Sequence, residues 1–171
     1  MVTIRKATTN DIPRILELYE ELTEVKQDIS AAKAEQVFKQ IDAIPDGRFL
    51  VAEKDGLVLG TLYIQVIPNL SHNGTPYAVI ENVVVDKRFH KQGIGRLLME
   101  NALTFAREAG CYKVQLLSMK KRLEAHQFYR ALGFADSALG FRLYFNIECI
   151  HRVKTNYLTY VSKCSRIWNC F

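Results

Sequence analysis

Val83-Val84-Val85-Asp86-Lys87-Arg88-Phe89-His90-Lys91-Gln92-Gly93-Ile94-Gly95-Arg96 is the stretch whose reading decides the fold. It opens as a β-branched run, crosses a polar loop, and closes on two glycines. Those lead into Ile94, Leu97, Leu98, Ala102 and Phe105, the spacing of one helical face. A strand feeding a glycine-opened helix makes an anion site. The first turn of a helix leaves N–H groups without partners, and the helix dipole adds positive potential there. Gly93 and Gly95 let the backbone approach a bulky phosphate with no Cβ in the way. Lys91 and Arg96 flank the mouth with charge and His90 adds a donor, so a pyrophosphate is the natural guest. The Walker A spacing is absent, because no Gly-Lys-Ser/Thr follows. The dinucleotide fingerprint also fails: there are two glycines, and no acidic residue ends a second strand further on. Alone, Gly-x-Gly marks only a helix start, so the surrounding sequence has to decide.

Working outward, residues 2–8 alternate as a short strand, and Thr9 or Asn10 is placed to cap a helix. That helix carries Ile12, Ile15, Leu16, Tyr19 and Leu22 on one face, with Pro13 harmless in its first turn. Ser30 caps a second helix through Val37, Phe38 and Ile41, which ends at Pro45-Asp46-Gly47. A hairpin follows: Phe49 to Ala52, the turn Lys54-Asp55-Gly56, then Leu57 to Ile67. Pro68 to Pro76 is a polar loop, and Tyr77 to Val85 a β-rich run. Beyond the Gly93 helix, which ends before Gly110, Tyr112 to Leu117 reads as a buried strand. Arg122 to Leu132 is a helix with Ala125, Phe128, Tyr129 and Leu132 on one face, stopped by Gly133. The order predicts an α/β domain.

With these pieces in place the sequence resembles the GCN5-related N-acetyltransferase (GNAT) family over residues 2–145. The family's acetyl-coenzyme A motif, Arg/Gln-x-x-Gly-x-Gly/Ala, is similar to His90-Lys91-Gln92-Gly93-Ile94-Gly95, with His90 where Arg or Gln is usual. The second signature, ending in Phe-Tyr-x-x-x-Gly-Phe, is similar to Ala125-His126-Gln127-Phe128-Tyr129-Arg130-Ala131-Leu132-Gly133-Phe134. The resemblance implies a central mixed, mostly antiparallel sheet flanked by helices, and acetyl-coenzyme A as co-substrate. It implies that Val83, Val84 and Val85 offer their backbone edge to the pantetheine arm. Residues 90–96, with Lys120, Ala125 and Phe128, would complete the cofactor site. His90 then weakens the site without abolishing it, since backbone N–H groups do most of the phosphate binding.

Transfer from a thioester to an amine needs a neutral amine, a polarised carbonyl, a proton for the departing sulfur, and alignment. The resemblance implies Tyr129 as the acid; taken by itself it reads as a core tyrosine beside Phe128 and Leu132. Glu81 is the candidate base. On a regular strand residues 81, 83 and 85 share a face, and a carboxylate in so apolar a run is costly without a job or a partner. Its other reading is an edge-strand glutamate facing water. The resemblance also implies an N–H of the Val83 to Val85 strand as the group that steadies the carbonyl oxygen. His126 is a weaker base candidate. Lys120-Lys121-Arg122 reads as a solvated helix start, or as a long-range attractor of the ribose 3′-phosphate. Cys111 reads as packing.

The 171 residues, 49% hydrophobic and 24% charged, suit one domain of residues 1–145 plus an extension, 146–171, of uncertain order. Charges interrupt every apolar stretch well short of the roughly 18 residues of a membrane span, and Arg5-Lys6 followed by polar Thr8-Thr9-Asn10-Asp11, with no apolar run, leads to the expectation of no secretory signal. The net charge of +5 is partly a tail effect: Arg152, Lys154, Lys163 and Arg166 stand there against Glu148 alone. The remaining excess suits a small anionic ligand better than nucleic acid. Cys111, Cys149, Cys164 and Cys170 form no C-x-x-C pair, so no metal site is expected, and free thiols in a cytoplasmic monomer or homodimer are. The sequence therefore points to an N-acetyltransferase acting on a primary amine of a small molecule. Ile80 to Val85 and Gly110-Cys111-Tyr112-Lys113 resemble stretches of the glucosamine-phosphate N-acetyltransferase branch, an alternative for the acceptor. A non-catalytic coenzyme A-binding regulatory module is the rival from another class; a basic nucleic-acid binder is disfavoured by scattered charge.

Overall fold

Alternating apolar residues build the sheet, and two amphipathic layers cover it. In a computed structural model, which describes residues 1–143, the elements run β1 (Thr3–Lys6), α1 (Ile12–Thr23), α2 (Ala31–Asp42), β2 (Gly47–Lys54) and β3 (Leu57–Ile67). They continue with β4 (Tyr77–Val85), α3 (Ile94–Glu108), β5 (Val114–Leu116) and α4 (Leu123–Ala131). The strands stand in chain order in one sheet, β1-β2-β3-β4-β5. Every pairing is antiparallel except β4 with β5, which is parallel. This is the mixed, mostly antiparallel sheet the sequence implied.

One face of the sheet, with Leu50, Leu62, Ile64, Ala78 and Ile80, packs against Ile94, Leu98, Met99, Ala102 and Phe105 of α3. The other, with Phe49, Val51, Val58 and Val84, packs against Ile15 and Leu18 of α1 and Phe38 of α2. The α3 stripe differs from the sequence reading at one position: Leu97 is exposed and Met99 fully buried, because 99 lies nearer the centre of the 3.6-residue stripe. Ser30 caps α2, its hydroxyl accepting from the Lys33 N–H at 3.3 Å. Neither Thr9 nor Asn10 caps α1: its N-cap position is Asp11, and the capping box belongs to the short turn before it, with Thr8 as that turn's N-cap. The Asp11 carboxylate accepts from the N–H of Thr8 at 2.7 Å and from its hydroxyl at 3.0 Å, and a 3-10 turn, Thr9–Asp11, precedes the helix.

Two features of β4 set up the site. First, Thr61 pairs with Val84 but Tyr63 pairs with Glu81, so three steps along β4 match two along β3. The extra residue is a bulge in which Asn82 takes a left-handed conformation, φ 56°. Second, β5 is only three residues long, shorter than the predicted Tyr112 to Leu117. Its pairing with β4 stops at Ile80–Leu116, just before the bulge breaks the edge that would continue the ladder. From there the two strands part.

The chain divides into two units, Met1–Ser137 and Ala138–Phe171. Of the second, residues 138–143 carry no helix or strand. The extension predicted at 146–171, with Cys149, Cys164 and Cys170, lies outside the described residues.

Candidate active site

The mouth of α3 forms where the sequence places it. Gly93 takes φ 82°, a conformation with a steric cost for any side chain, and Lys91 before it takes φ 61°. The first helical bond runs from the Leu97 N–H to the Gly93 carbonyl at 3.0 Å. Among the described residues, the N–H groups of Lys91, Gln92, Gly93, Ile94, Gly95 and Arg96 meet no hydrogen-bond acceptor. Gly95 is tight on its other side, where an added Cβ would stand 3.3 Å from Cζ of Phe128. Phe128 is thus a wall of the mouth, delivered by α4. The Arg96 guanidinium lies 3.5 Å from Glu100, one turn along the helix. His90 turns away from the mouth: its Nε2 lies 2.8 Å from the Val85 carbonyl, closing an acceptor on the strand edge.

That edge is the second part of the site. The Asp86 N–H faces β3, donating to the Leu59 carbonyl at 2.8 Å. By strand alternation the peptide groups of Val85 face the side that β5 has left. The three valines do not act alike. The side chains of Val83 and Val85 pack on the α3 and α4 face, whereas Val84 is buried in the α1 and α2 face.

The bulge also corrects the reading of Glu81. It shifts the phase of β4 by one residue, so Glu81 shares a face with Val84 and not with Val83 and Val85. Glu81 therefore belongs to the α1 face, where it is exposed, while Tyr129 packs on the opposite, α3 face. The two still meet electrostatically across the gap. Burial pushes the Tyr129 phenol up from its ordinary value, the Arg122 guanidinium opposes that, and the Glu81 carboxylate adds to it. Phe128 and Phe134 hold the ring, at centroid distances of 5.3 and 6.0 Å. Among the described residues its hydroxyl has no hydrogen-bond partner. Beside the bulge, the buried hydroxyl of Tyr19 also lacks a hydrogen bond, although Asn82 lies near enough to oppose the strong upward push of burial on that phenol.

Other predicted residues fall into place around this centre. Lys120 is exposed and Ala125 half-buried. His126 staples the start of α4, its Nε2 lying 3.0 Å from the Met119 carbonyl. Cys111 is half-buried against the core, and burial pushes its thiol up.

The sequence reading missed Asp86 and Arg14 and misjudged the burial of Arg122. Asp86, wholly buried, accepts from the Arg88 N–H at 2.9 Å and from the Arg88 guanidinium at 2.6 Å, and it also receives Arg14 of α1. The Arg88 contacts, with Arg14 adding, hold its carboxyl far below the usual range. Arg14 also donates to the Val58 carbonyl at 3.1 Å, so this clasp ties α1, β3 and the loop before the mouth together. Asp two residues before Arg is a readable turn cap, but nothing local announces Arg14, 72 residues away. Arg122, read as a solvated helix start, is half-buried and donates to the Leu22 carbonyl at 3.4 Å. It lines a cavity of about 220 Å³ with residues 21–24, Met119 and Lys121.

Comparison with known proteins gives the same picture. The sequence profile of the acetyltransferase (GNAT) family matches residues 13–134. Glucosamine 6-phosphate N-acetyltransferase of Trypanosoma brucei brucei is 35% identical over 79 residues, 46% of this chain and about half, 52%, of that protein's length. Aminoalkylphosphonate N-acetyltransferase of Salmonella typhimurium is 29% identical over 138 residues, covering 81% of this chain and 88% of that one. The crystal structure of glucosamine-6-phosphate N-acetyltransferase from Arabidopsis thaliana superposes with a TM-score of 0.77 at 26% identity, over 85% of this chain and 99% of that one.

Proposed function

Because the chain belongs to the acetyltransferase (GNAT) family, we propose that it transfers the acetyl group of acetyl-CoA to a primary amine of a small molecule. The observation that carries this is the row of N–H groups from Lys91 to Arg96 without partners among the described residues, continuous with the β4 edge that β5 leaves open. A diphosphate suits the first and an amide-bearing arm the second. Residues 91–96 would hold the diphosphate, with Phe128 and Ala125 walling it and Lys120 adding distant charge, while His90, turned to the Val85 carbonyl, takes no part in the mouth. The backbone of Val83 and Val85 would hold the arm, and Val84 supports that edge by anchoring it in the core. His90 has to release the Val85 carbonyl for an amide N–H to take its place.

Bound acetyl-CoA supplies an acyl group activated as a thioester. The protein's own contribution is proton handling from the two faces of one gap. Glu81, on the α1 face, takes a proton from the incoming ammonium, directly or through a water. Tyr129, on the α4 face, gives its phenolic proton to the departing sulfur. Burial keeps that phenol protonated at neutral pH, which is the state an acid needs. The bulge at Asn82 is what puts base and acid on opposite sides. A strand N–H steadies the carbonyl oxygen, an electrostatic contribution in a partly water-excluded gap.

A narrower reading makes the acceptor an amino-sugar phosphate. It is supported by two relatives that bear the name glucosamine 6-phosphate N-acetyltransferase and by a third named for aminoalkylphosphonates. The chemistry is assigned to residues 1–145, in the cytoplasm, as a monomer or homodimer. The test is release of free coenzyme A thiol from acetyl-CoA across a panel of amines. Amine-dependent release is expected, and Tyr129→Phe should lower kcat by about 10²-fold or more with little change in acetyl-CoA affinity. Binding of acetyl-CoA with no release for any amine would instead favour a non-catalytic module.

A further inference from the structure

The cavity at the end of α1 has an electrical asymmetry that the family match does not address. One wall is the C-terminal turn of α1, with Glu21 and Glu24; the other is the start of α4, with Lys121 and Arg122. The acids already have partners: Glu21 accepts from the Lys87 N–H at 3.3 Å, and Glu24 lies 3.8 Å from Lys121. Arg122 has none of that kind. Among the described residues its guanidinium meets no carboxylate, and its one hydrogen bond, at 3.4 Å, goes to the Leu22 carbonyl. A half-buried guanidinium with most of its five donors unused is a ready partner for a bidentate oxyanion. The first turn of α4 adds the positive end of a helix dipole on the same wall.

Arg122, at the N-cap of α4, stands about two helical turns before Tyr129 and so on the same side of that helix, and its charge opposes the upward push of burial on the Tyr129 phenol. We propose that this cavity is the acceptor site and that Arg122 selects amines carrying a phosphate or other oxyanion. The anion would lie against Arg122, with Lys121 beside it, and the amine of the same molecule would reach Glu81 and Tyr129. At about 220 Å³ the space suits a compact metabolite, being smaller than the pockets that hold drug-sized ligands. Arg122 is thus a specificity-determining residue, and the inference rests on the acetyl-transfer reading only for what happens to the amine.

The experiment compares O-phosphoethanolamine with ethanolamine, two acceptors that differ in the phosphate alone. The wild-type protein should favour the phosphate in kcat/KM, and Arg122→Ala should reduce that preference at least about tenfold, mainly through KM, with Arg122→Lys recovering part of it. Calorimetry of O-phosphoethanolamine binding to wild type and Arg122→Ala should show the same ranking whether or not turnover occurs. Arg122-dependent binding without turnover would overturn the transfer reading and leave the anion site standing. An equal preference, and equal binding, in wild type and Arg122→Ala would overturn the site. Circular dichroism and the melting temperature of Arg122→Ala exclude unfolding as the cause.

Discussion

Glu81 shows how one residue's role turns on a neighbour's backbone. Without the left-handed Asn82 it would point with Val83 toward α4, onto the side that carries Tyr129. With the bulge it faces the α1 side, so in the proposed reaction the gap between β4 and β5 would receive a base from one face and an acid from the other. Glu81→Gln should therefore flatten the rising limb of the pH–rate profile and lower kcat/KM by about 10²-fold at neutral pH. A profile identical to wild type would remove Glu81 as the base. In the same proposal Tyr129 would set the other limb. Its phenol titrates above the ordinary value of 10.0, so loss of the acid belongs at high pH and not in the neutral range. Both residues could be named from the sequence. Their geometry could not, because the phase of a strand across a bulge is fixed by its partner, here β3.

Among the elements, the loop from β4 to α3 depends on α1 in a way that its own residues do not reveal. Asp86 is buried with Arg14 and Arg88 upon it, and its folded-state pKa lies below the unfolded value. Its contribution to stability is thus complete above about pH 4 and is lost as pH falls through the folded-state value. Asp86→Asn should lower stability by about 2 kcal/mol at pH 7, read from urea midpoints, and the gap from wild type should close in strong acid. A gap independent of pH would mean that the clasp is not ionic. The hairpin turn at Asp55-Gly56, with φ values of 52° and 79°, was legible because its chemistry is local. So was the α3 mouth, because two glycines and a periodic stripe lie side by side in the sequence. The clasp and the length of β5 were not, since both are set by contacts distant in sequence.

At the scale of the whole molecule, the proposed chemistry rests on two covered faces and one split edge. α3 and α1 clamp β4 from opposite sides, and the short β5 leaves part of that strand unpaired where the α3 mouth opens. The hydrophobic periods made this architecture readable. The cavity proposed for the acceptor was not readable, because it joins Leu22 to Arg122 across 100 residues and its lining follows no repeat. The central claim is that one continuous backbone surface, running from Val83 and Val85 to the Lys91–Arg96 mouth, binds acetyl-CoA. Titrating 15N-labelled protein with acetyl-CoA and following its amide resonances tests this directly. The largest shifts should fall on Val83, Val85 and residues 91–96. Saturable shifts confined to other parts of the chain, with those amides unmoved, would contradict it.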